Sequence, residues 1–183
     1  MTKTQYYTAT TLDGYIADEA NGVEWLFEVD RGESAGEEFT EFFAGVGAMA
    51  MGATTYEWIL EHQGEPGQWR QWYGETPCWV FTHRDLHPIP EASISFVEGD
   101  VRPVHQRMTK AANGRNIWLV GGGELVGQFA DRGLLDEILV GVAPVTLGGG
   151  APLLPRRLTA SQLELADVAR QGQFARLVYR LRR

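Results

Sequence analysis

Three consecutive glycines, Gly121 to Gly123, form the part of this sequence best suited to bind an anion. The polar Asn116 and the apolar run from Ile117 to Val120 precede them, which predicts a short buried strand. Apolar residues follow at helical spacing: Val126, Phe129, Ala130 and Leu134. Where a strand turns into a helix, free N–H groups and the positive end of the helix dipole converge. The glycine turn, as Gly121 to Gly123 is named below, therefore predicts a phosphate or pyrophosphate site.

The same glycines are compatible with a plain tight turn, and the local sequence leaves this alternative open. Two better-known phosphate motifs are excluded. No GxxxxGK[ST] pattern follows, so the segment is not a P-loop. The dinucleotide fingerprint also fails, because the third glycine comes only at Gly127, one residue after Val126. In addition, the next strand, Ile138 to Val142, ends without the carboxylate that would hold a ribose.

Strands and helices alternate along most of the chain and must position this turn. Besides the strand before the glycines, strands are predicted over Tyr6 to Thr11, Ala48 to Met51, Cys78 to Thr82, Ile94 to Val97 and Ile138 to Ala143. Helices are predicted from a capping box, Ser34-Ala-Gly-Glu37, through Val46, from a Thr54 or Thr55 cap through Leu60, and from Val101 to Ala111. Gln162 to Val168 and Ala175 to Leu181 alternate apolar and polar residues about Gly172, which predicts an antiparallel hairpin. The pattern indicates an α/β fold with a mixed, mostly parallel sheet flanked by helices.

The carboxyl ends of the predicted strands carry polar or glycine-containing turns. These turns are Asp13-Gly14, Gly52, Thr82-His83-Arg84, Gly99-Asp100 and the glycine turn. Ligands of such sheets usually bind at this edge, so the sequence predicts a long cleft there. The glycine-rich segment Gln63 to Glu75 is predicted to be a loop. Its Trp69 and Trp72 would either pack, for example against a neighbouring subunit, or form a mobile wall over a flat heterocycle, and packing is the favoured interpretation.

The composition excludes several classes of function. The 183 residues, 44% of them hydrophobic, fit one domain with a substantial core. A net charge of −8 argues against a nucleic-acid partner. One cysteine, Cys78, excludes a disulfide framework and a multi-cysteine zinc site, and the four histidines lack metal-ligand spacing. No stretch has the pattern of a signal peptide or a membrane span, so we expect a cytoplasmic protein without a membrane partner.

The strongest resemblance to a known family lies between Leu119 and Pro155, LVGGGELVGQFADRGLLDEILVGVAPVTLGGGAPLLP. This stretch resembles the reductase domain of the riboflavin-biosynthesis deaminase-reductase, the RibD C-terminal domain family, and more broadly the dihydrofolate reductase superfamily. Further motifs occur in the family's order over nearly the whole chain: LDGYIA (Leu12 to Ala17), Trp25, MGATTYE (Met51 to Glu57) and FTHR (Phe81 to Arg84). The resemblance implies a three-layer dihydrofolate-reductase-like fold over residues 1–183 and a homodimer. The sequence lacks the cysteine pattern of the family's zinc deaminase half.

The resemblance implies a reduced nicotinamide cofactor, NADPH with NADH as the alternative, along the carboxyl edge of the sheet. The implied cofactor contacts are Gly52, Thr54, Thr55, Thr82, His83, Arg84, Gly121, Gly122, Gly123, Glu124 and Leu125. The glycine turn would take the pyrophosphate, and Thr82 and Arg84 would take the adenosine 2′-phosphate, which a planar guanidinium suits. Thr55 matches a family threonine near the cofactor phosphates, or it is simply a helix cap. Asp13, Trp25, Ala143 and Pro144 are implied to contact the substrate or the nicotinamide.

One departure from the family affects the expected cofactor. The family pattern commonly reads Gly-Arg-x-Thr, whereas this chain reads Gly52-Ala53-Thr54-Thr55. A phosphate-binding cation is therefore missing, and the expected preference for NADPH depends on Arg84, with His83 as a secondary contact.

Two carboxylates are candidates for handling a proton. Dihydrofolate-reducing members of the family place an acidic residue shortly after a tryptophan, and Asp30 stands at that spacing after Trp25, with Glu28 close by. A carboxylate beside apolar rings has the raised pKa that a proton relay needs, but Asp30 is equally compatible with a solvent-exposed acid. Asp13 either contacts a substrate amine or holds its own turn through an Asx bond, and the turn role with some substrate contact is favoured.

Two functions of different class follow. The first is an NAD(P)H-dependent reductase that transfers a hydride to a small planar heterocycle, either pteridine-like or pyrimidine-like, as in dihydrofolate or 5-amino-6-(5-phosphoribosylamino)uracil reduction. The second is a dinucleotide- or pterin-binding module with little or no turnover, which the lack of a firmly placed proton donor keeps open.

Overall fold

A computed structural model describes residues 1–62 and 67–182 of the chain. Its strands are Thr4–Thr11 (β1), Tyr15–Ala17 (β2), Val46–Gly52 (β3), Cys78–Phe81 (β4), Ile94–Val97 (β5), Asn116–Gly121 (β6), Glu137–Ala143 (β7), Ala151–Pro152 (β8), Leu163–Gln171 (β9) and Phe174–Leu181 (β10). Its helices are Trp25–Glu28 (α1), Ala35–Ala44 (α2), Ala53–His62 (α3), Gln68–Tyr73 (α4), Val101–Ala112 (α5) and Gly123–Asp131 (α6). The alternation of strands and helices confirms the predicted α/β class.

The main sheet has eight strands in the order β5-β4-β3-β6-β1-β7-β10-β9. The pairings from β5 through to β7 are all parallel, whereas β7 with β10 and β10 with β9 are antiparallel. This is the predicted mixed, mostly parallel sheet with a C-terminal antiparallel hairpin. Because parallel strands end at a common edge, Thr11, Gly52, Phe81, Gly121 and Ala143 all lie at the carboxyl edge of the sheet.

The alternation of side chains along the central strands divides the core between the two faces of the sheet. On β6, Ile117 and Leu119 join the cluster built with α5 and α6, whereas Trp118 and Val120 join the cluster on the other face. That second cluster includes apolar residues of α2, α3 and α4. Strands that are apolar on both sides need helices on both sides, and this requirement produces the three layers.

The small second sheet pairs β2 with β8 in antiparallel fashion. It joins the turn after β1 to the loop that follows β7. The amide of Leu153 donates to the carbonyl of Gly14 at 2.9 Å, and the Tyr6 hydroxyl donates to the carbonyl of Leu153 at 3.1 Å. Neither strand is predicted from the sequence, because β2 has three residues and β8 has two, which is too short for an alternating pattern.

The prediction for the segment Gln63 to Glu75 is wrong in part. Residues 68–73 form α4, although residues 63–66 lie outside the described part of the chain. Trp69 is 2% exposed and packs within the core of this chain, at 4.7 Å from the ring centroid of Tyr73. Trp72 remains partly exposed. Burial of one large ring stabilises a helix too short to form alone, and local sequence patterns do not report such burial.

Three helix boundaries also differ from the sequence-based prediction. Ser34 precedes α2 as predicted, but its dihedral angles are helical (φ −80°, ψ −6°), and its hydroxyl donates to the Glu38 side chain at 2.7 Å instead of capping the helix. Val46 belongs to β3 and not to the preceding helix, because its side chain is buried in the sheet. Thr54 and Thr55 lie inside the first turn of α3, which begins at Ala53, so neither is a cap that precedes the helix.

Neither a membrane span nor a metal cluster is visible within residues 1–62 and 67–182. No helix there is long and apolar enough to cross a bilayer. No group of three or more His, Cys, Asp or Glu side chains there is arranged to hold a metal ion.

Candidate active site

A cleft of about 640 Å³ opens at the carboxyl edge of the sheet, beside β1 and β6. Residues of β1, of the segment around β2 and α1, of α3, of the β6–α6 junction and of the segment around β8 line it: Thr8, Ala9, Ile16, Ala17, Asn21, Val23, Trp25, Leu26, Phe27, Thr54, Thr55, Trp58, Ile59, Val120, Gly121, Gly122, Gly123, Glu124, Ala151, Pro152 and Pro155. Tyr73 of α4 completes the lining. The parallel order of the strands therefore brings parts of the chain that are far apart in sequence to one concave surface.

The glycine turn lies in the wall of this cleft at the start of α6. The first helical hydrogen bond of α6 runs from the amide of Val126 to the carbonyl of Gly122 at 3.0 Å. The amides of Gly123, Glu124 and Leu125 have no acceptor within the described residues. Gly123 and Glu124 line the cleft, so the start of a helix with unpaired amides and the positive end of its dipole lies in the cleft wall, an arrangement suited to anions.

The glycines are required by backbone conformation and by close packing. Gly122 has a φ of +93°, which side chains rarely tolerate. A Cβ atom on Gly123 would overlap the carbonyl oxygen of Pro152 and lie 2.6 Å from that of Leu153. The start of α6 is therefore pressed against the backbone of β8, and this contact holds the amides at the cleft.

Arg156 lies outside the cleft and forms hydrogen bonds with two side chains of α6. Its guanidinium donates to both carboxylate oxygens of Glu124, at 2.6 and 2.9 Å, and its Nε donates to Asp131 at 2.8 Å. A Cβ atom on Gly127 would lie 2.7 Å from Cζ of Arg156, so this glycine gives the arginine room to lie along the helix. The hydrogen bonds from Arg156 lower the pKa of the Glu124 carboxyl. Gly127 therefore makes room for Arg156, a role that the sequence pattern of glycines did not predict.

Thr54 and Thr55 line the cleft next to the glycine turn. A Cβ atom on Gly121 would lie 2.8 Å from the Thr55 hydroxyl, which places that hydroxyl directly beside the turn. A Cβ atom on Gly52 would meet no atom within 4 Å, so open space lies beside this residue. The first turn of α3 and the first turn of α6 therefore converge on the same end of the cleft.

Thr82, His83 and Arg84 follow β4, farther along the carboxyl edge, and do not belong to the cleft lining. Arg84 forms an ion pair with Glu57 of α3, and its amide donates to the Thr82 hydroxyl at 2.8 Å. His83 contacts Glu98 at 3.1 Å. His83 and Arg84 are exposed at this edge of the sheet, and Thr82 is half-buried.

Asp13 holds two loops together outside the cleft. Its carboxylate accepts hydrogen bonds from the Thr11 hydroxyl and from the amides of Leu147 and Gly148, the last at 2.7 Å. These bonds, led by the one from Thr11, lower the pKa of the Asp13 carboxyl. The geometry matches an Asx-type turn role extended to the loop after β7.

Asp30 is exposed beyond the end of α1 and is not part of the cleft lining. Its carboxylate accepts from the amide of Gly32 at 2.9 Å, and its carbonyl accepts from the amide of Gln173 in the β9–β10 turn. Glu28, the last residue of α1, is also exposed. The fold thus does not bring these two carboxylates to the cleft, although it brings Trp25 there.

Ala143 and Pro144 lie at the end of β7 and likewise do not contribute to the cleft lining. Ala143 is buried in a small cluster with Trp25 and Phe174, whereas Pro144 is exposed. Ala143 therefore belongs to the buried cluster that holds Trp25 in place.

Four aromatic residues also line the cleft, and sequence reasoning identified only Trp25 among them. They are Trp25, Phe27, Trp58 and Tyr73. Phe27 and Trp58 are nearly parallel, with an interplanar angle of 15° and ring centroids 6.3 Å apart. Burial raises the pKa of Tyr73 to about 12, so its hydroxyl stays protonated. No motif marks these residues, because α1, α3 and α4 meet only in the tertiary structure.

Comparisons with known proteins agree with this geometry. The sequence matches the family described as the RibD C-terminal domain over residues 2–174. It is 32% identical over 183 residues to the uncharacterized protein YwjB of Bacillus subtilis, with 97% of each chain covered.

Two solved structures illustrate the shared fold. A protein of Shewanella sp. PV-4 assigned to riboflavin biosynthesis matches with a TM-score of 0.78 at 23% identity, over 99% of both chains. A diaminohydroxyphosphoribosylaminopyrimidine deaminase/5-amino-6-(5-phosphoribosylamino)uracil reductase of Thermotoga maritima matches with a TM-score of 0.65 at 14% identity, over 99% of this chain and 57% of that one. The family match and the YwjB match each span nearly the whole sequence. The chain therefore belongs to the RibD C-terminal domain family and has its dihydrofolate-reductase-like fold.

Proposed function

We propose that this protein is an NAD(P)H-dependent reductase that transfers a hydride to a small planar heterocycle of pteridine or pyrimidine type. The observation that carries the proposal is the start of α6, where the amides of Gly123 to Leu125 are unpaired, in the wall of a cleft that is also lined by aromatic side chains. Membership of a family that includes a uracil-derivative reductase supports it. The cleft volume, about 640 Å³, is that of a small-molecule site.

The residues at the glycine-turn end fit a dinucleotide. The free amides of α6 and the Thr55 hydroxyl suit a pyrophosphate, and the open space beside Gly52 leaves room for it. Glu124 also stands at this helix start, but Arg156 offsets its charge. Farther along the edge, Arg84 with Thr82 and His83 is positioned for the adenosine end, where a 2′-phosphate would compete with Glu57 for the guanidinium.

A reduced nicotinamide bound here would supply a hydride to the carbon of a C=N or C=O bond, with a proton from solvent completing the reduction. The chain's own contribution is binding and orientation. The glycine turn and Thr55 fix one ligand, and the four aromatic residues of the lining hold a flat ring and exclude water from one side of it.

A binding module with little or no turnover is the second candidate, and one observation favours it. Among the described residues that line the cleft, Glu124 is the one with a carboxylate side chain, and that carboxylate is paired with Arg156. Asp13 and Asp30, the predicted proton donors, are hydrogen-bonded in turns outside the lining. A carbonyl or imine whose protonation needs a protein acid would not be reduced efficiently in such a site.

The deciding experiment has two stages. Thermal unfolding with and without millimolar NADPH or NADH tests nucleotide binding, since a ligand that binds only the folded state raises the unfolding temperature. NADPH oxidation is then followed with dihydrofolate and with 5-amino-6-(5-phosphoribosylamino)uracil, whether or not the first is the physiological substrate. Stabilisation with turnover supports the reductase, and stabilisation without turnover on either substrate supports the binding module. Absence of stabilisation by both nucleotides contradicts both functions.

A further inference from the structure

The part of the cleft lined by α1, α3 and α4 is apolar and aromatic. Seven residues form this surface, named here the ring end: Val23, Trp25, Leu26, Phe27, Trp58, Ile59 and Tyr73. No lysine, arginine or histidine occurs among the described residues that line the cleft. A phosphate group bound at the ring end would lose its hydration without gaining a cationic partner, which is strongly unfavourable.

The ring end nevertheless offers hydrogen-bond donors. Trp25 is 7% exposed, and its Nε1 has no acceptor. Nε1 of Trp58 is also buried without an acceptor. An unpaired buried N–H group is unfavourable, because it has lost its hydrogen bond to water without gaining another. An acceptor atom on a ligand that reached these groups would remove that cost, so the ring end favours ligands with acceptors on their edge.

Two basic side chains contact ring-end residues, and both are outside the cleft lining: His62 stacks on the ring of Trp58, with ring centroids 4.2 Å apart, and Arg31 contacts Phe27. The guanidinium carbon of Arg31 lies 5.2 Å from the centroid of the Phe27 ring, and its NH2 group donates to the carbonyl of Leu26 at 3.3 Å. Arg31 covers the outer face of Phe27 and is not part of the lining. Its charge is therefore directed at an aromatic face and not into the cleft.

We propose that the ring end binds an uncharged planar ring with carbonyl or ring-nitrogen acceptors on its edge, and not a phosphorylated sugar. The proposal rests on the reductase function above and narrows its substrate. The chain would then share a fold with a reductase named for a phosphoribosyl substrate but select a ring without the phosphate. Selectivity would come from the absence of cationic side chains together with the two indole donors.

The test compares two probes that differ only in a phosphate group. Binding of 6-hydroxymethylpterin and of its phosphate monoester is measured by calorimetry at fixed ionic strength, without nucleotide. We expect the neutral pterin to bind at least about tenfold more tightly, because the ester would have to bury a dianion unpaired. Equal or tighter binding of the ester, or binding of neither probe, overturns the proposal.

Two variants separate the indole donors from general packing. Trp25→Phe keeps an aromatic ring but removes the N–H, and we expect about fivefold weaker pterin binding from one lost hydrogen bond. Trp69→Phe is the matched control, because Nε1 of Trp69 is also buried without an acceptor but does not line the cleft. Thermal unfolding checks that both variants fold. Equal pterin affinity in Trp25→Phe and the unaltered protein overturns the indole role.

Arg31→Ala provides the opposing test. If Arg31 turned inward to bind a phosphate, this variant would weaken binding of the ester and not of the alcohol, and the proposal would be wrong. The reductase function is tested separately, by whether NADPH raises the unfolding temperature of the protein. If NADPH does not raise the unfolding temperature but the pterin still binds, the reductase function is rejected and the ring end is supported as a binding site for a planar ring.

Discussion

At the residue scale, the most informative pair is Arg84 with Glu57. Arg84 was the cation expected at the cofactor 2′-phosphate, and the structure places a carboxylate against it. Both side chains are partly exposed, so the pair itself contributes little to folding stability. We expect the pair to affect the choice between NADPH and NADH. Glu57 competes with a 2′-phosphate for the guanidinium, and its carboxylate can accept a hydrogen bond from the hydroxyl of an unphosphorylated ribose.

Replacing Arg84 is predicted to separate the two nicotinamide nucleotides. Arg84→Ala should weaken NADPH binding about tenfold, the equivalent of one charge-assisted hydrogen bond, and leave NADH binding nearly unchanged. Calorimetric titration of both nucleotides measures the difference. Equal losses for NADPH and NADH would contradict a role for Arg84 at the 2′-phosphate.

Glu57→Gln is the complementary change at the same pair. Removing the carboxylate frees Arg84 and removes repulsion, so we expect the ratio of NADPH to NADH affinity to rise by about threefold or more. The same titrations measure it. An unchanged ratio would mean that Glu57 does not compete for Arg84.

Gly123 makes a second prediction at this scale. Gly123→Ala should lower the free energy of unfolding by about 2 kcal/mol, because the added methyl overlaps the β8 backbone and must push α6 away. Gly36→Ala in α2 is the control, since its Cβ would meet no atom within 4 Å. We expect that control to gain up to about 1 kcal/mol from helix propensity. Urea unfolding of the three proteins provides the comparison, and equal behaviour of the two variants would refute the close contact.

At the element scale, α6 illustrates how much of a site depends on its support. The helix begins with three unpaired amides in the wall of the cleft, but its first turn also carries Glu124, whose negative charge opposes a bound phosphate. Arg156 pairs with both Glu124 and Asp131 and thereby ties the loop after β8 along the helix. A side chain from another segment thus offsets part of the negative charge on the helix proposed to bind the anion.

Removing Arg156 is predicted to weaken nucleotide binding without any contact to the nucleotide. Arg156→Ala leaves the charge of Glu124 uncompensated beside the pyrophosphate site, and we expect about threefold to tenfold weaker NADPH binding. Calorimetric titration measures the loss. The double variant Arg156→Ala with Glu124→Gln should recover most of the affinity. Lack of recovery would show that Arg156 acts by holding the loop and not by offsetting charge.

Elements differ in how well the sequence predicts them. The strand before the glycine turn, β5 and the C-terminal hairpin were predicted with little error, because each has a strong local apolar pattern bounded by turn residues. Helix α4 is predicted to be a loop, because the segment Gln63 to Glu75 that contains it is polar and glycine-rich, whereas the helix is stabilised by the burial of Trp69. The aromatic ring end was missed for the same kind of reason, since no local pattern reports which helices will meet.

At the scale of the whole molecule, the sheet is anchored at the edge opposite the cleft by a buried carboxylate. Glu137 is 6% exposed and accepts hydrogen bonds from Lys3 at 2.7 Å and from Gln5 at 2.8 Å, with Arg180 at 3.5 Å. Burial raises the pKa of the Glu137 carboxyl, but the hydrogen bonds and charges of its partners outweigh burial and lower it overall. Three neighbouring strands, β1, β7 and β10, are joined through this one carboxylate.

Stability should therefore depend on pH through Glu137. A carboxyl whose pKa is lower in the folded state contributes its stability above the ordinary pKa of 4.5, and this contribution is lost as pH falls through the folded-state value. At pH 7, Glu137→Gln should lower the free energy of unfolding by about 2 kcal/mol. Urea unfolding at pH 7 and near pH 3 should show the gap between the two proteins narrowing at acid pH. A constant gap would mean that packing and not charge makes the contribution.

The sequence by itself determined the α/β class, the parallel pairing that alternating strands and helices imply, the C-terminal hairpin and the place of the glycine turn between a strand and a helix. Each of these follows from local periodicity or from backbone freedom at glycine, which neighbouring residues in the chain decide. Only the tertiary structure decided that Asp13 and Asp30 lie in turns outside the cleft, that Arg84 is paired with Glu57, and that Arg156 offsets Glu124. It also assembled the ring end from α1, α3 and α4. Charge partners and ligand surfaces depend on contacts between segments distant in sequence, and such contacts exist only once the sheet has formed.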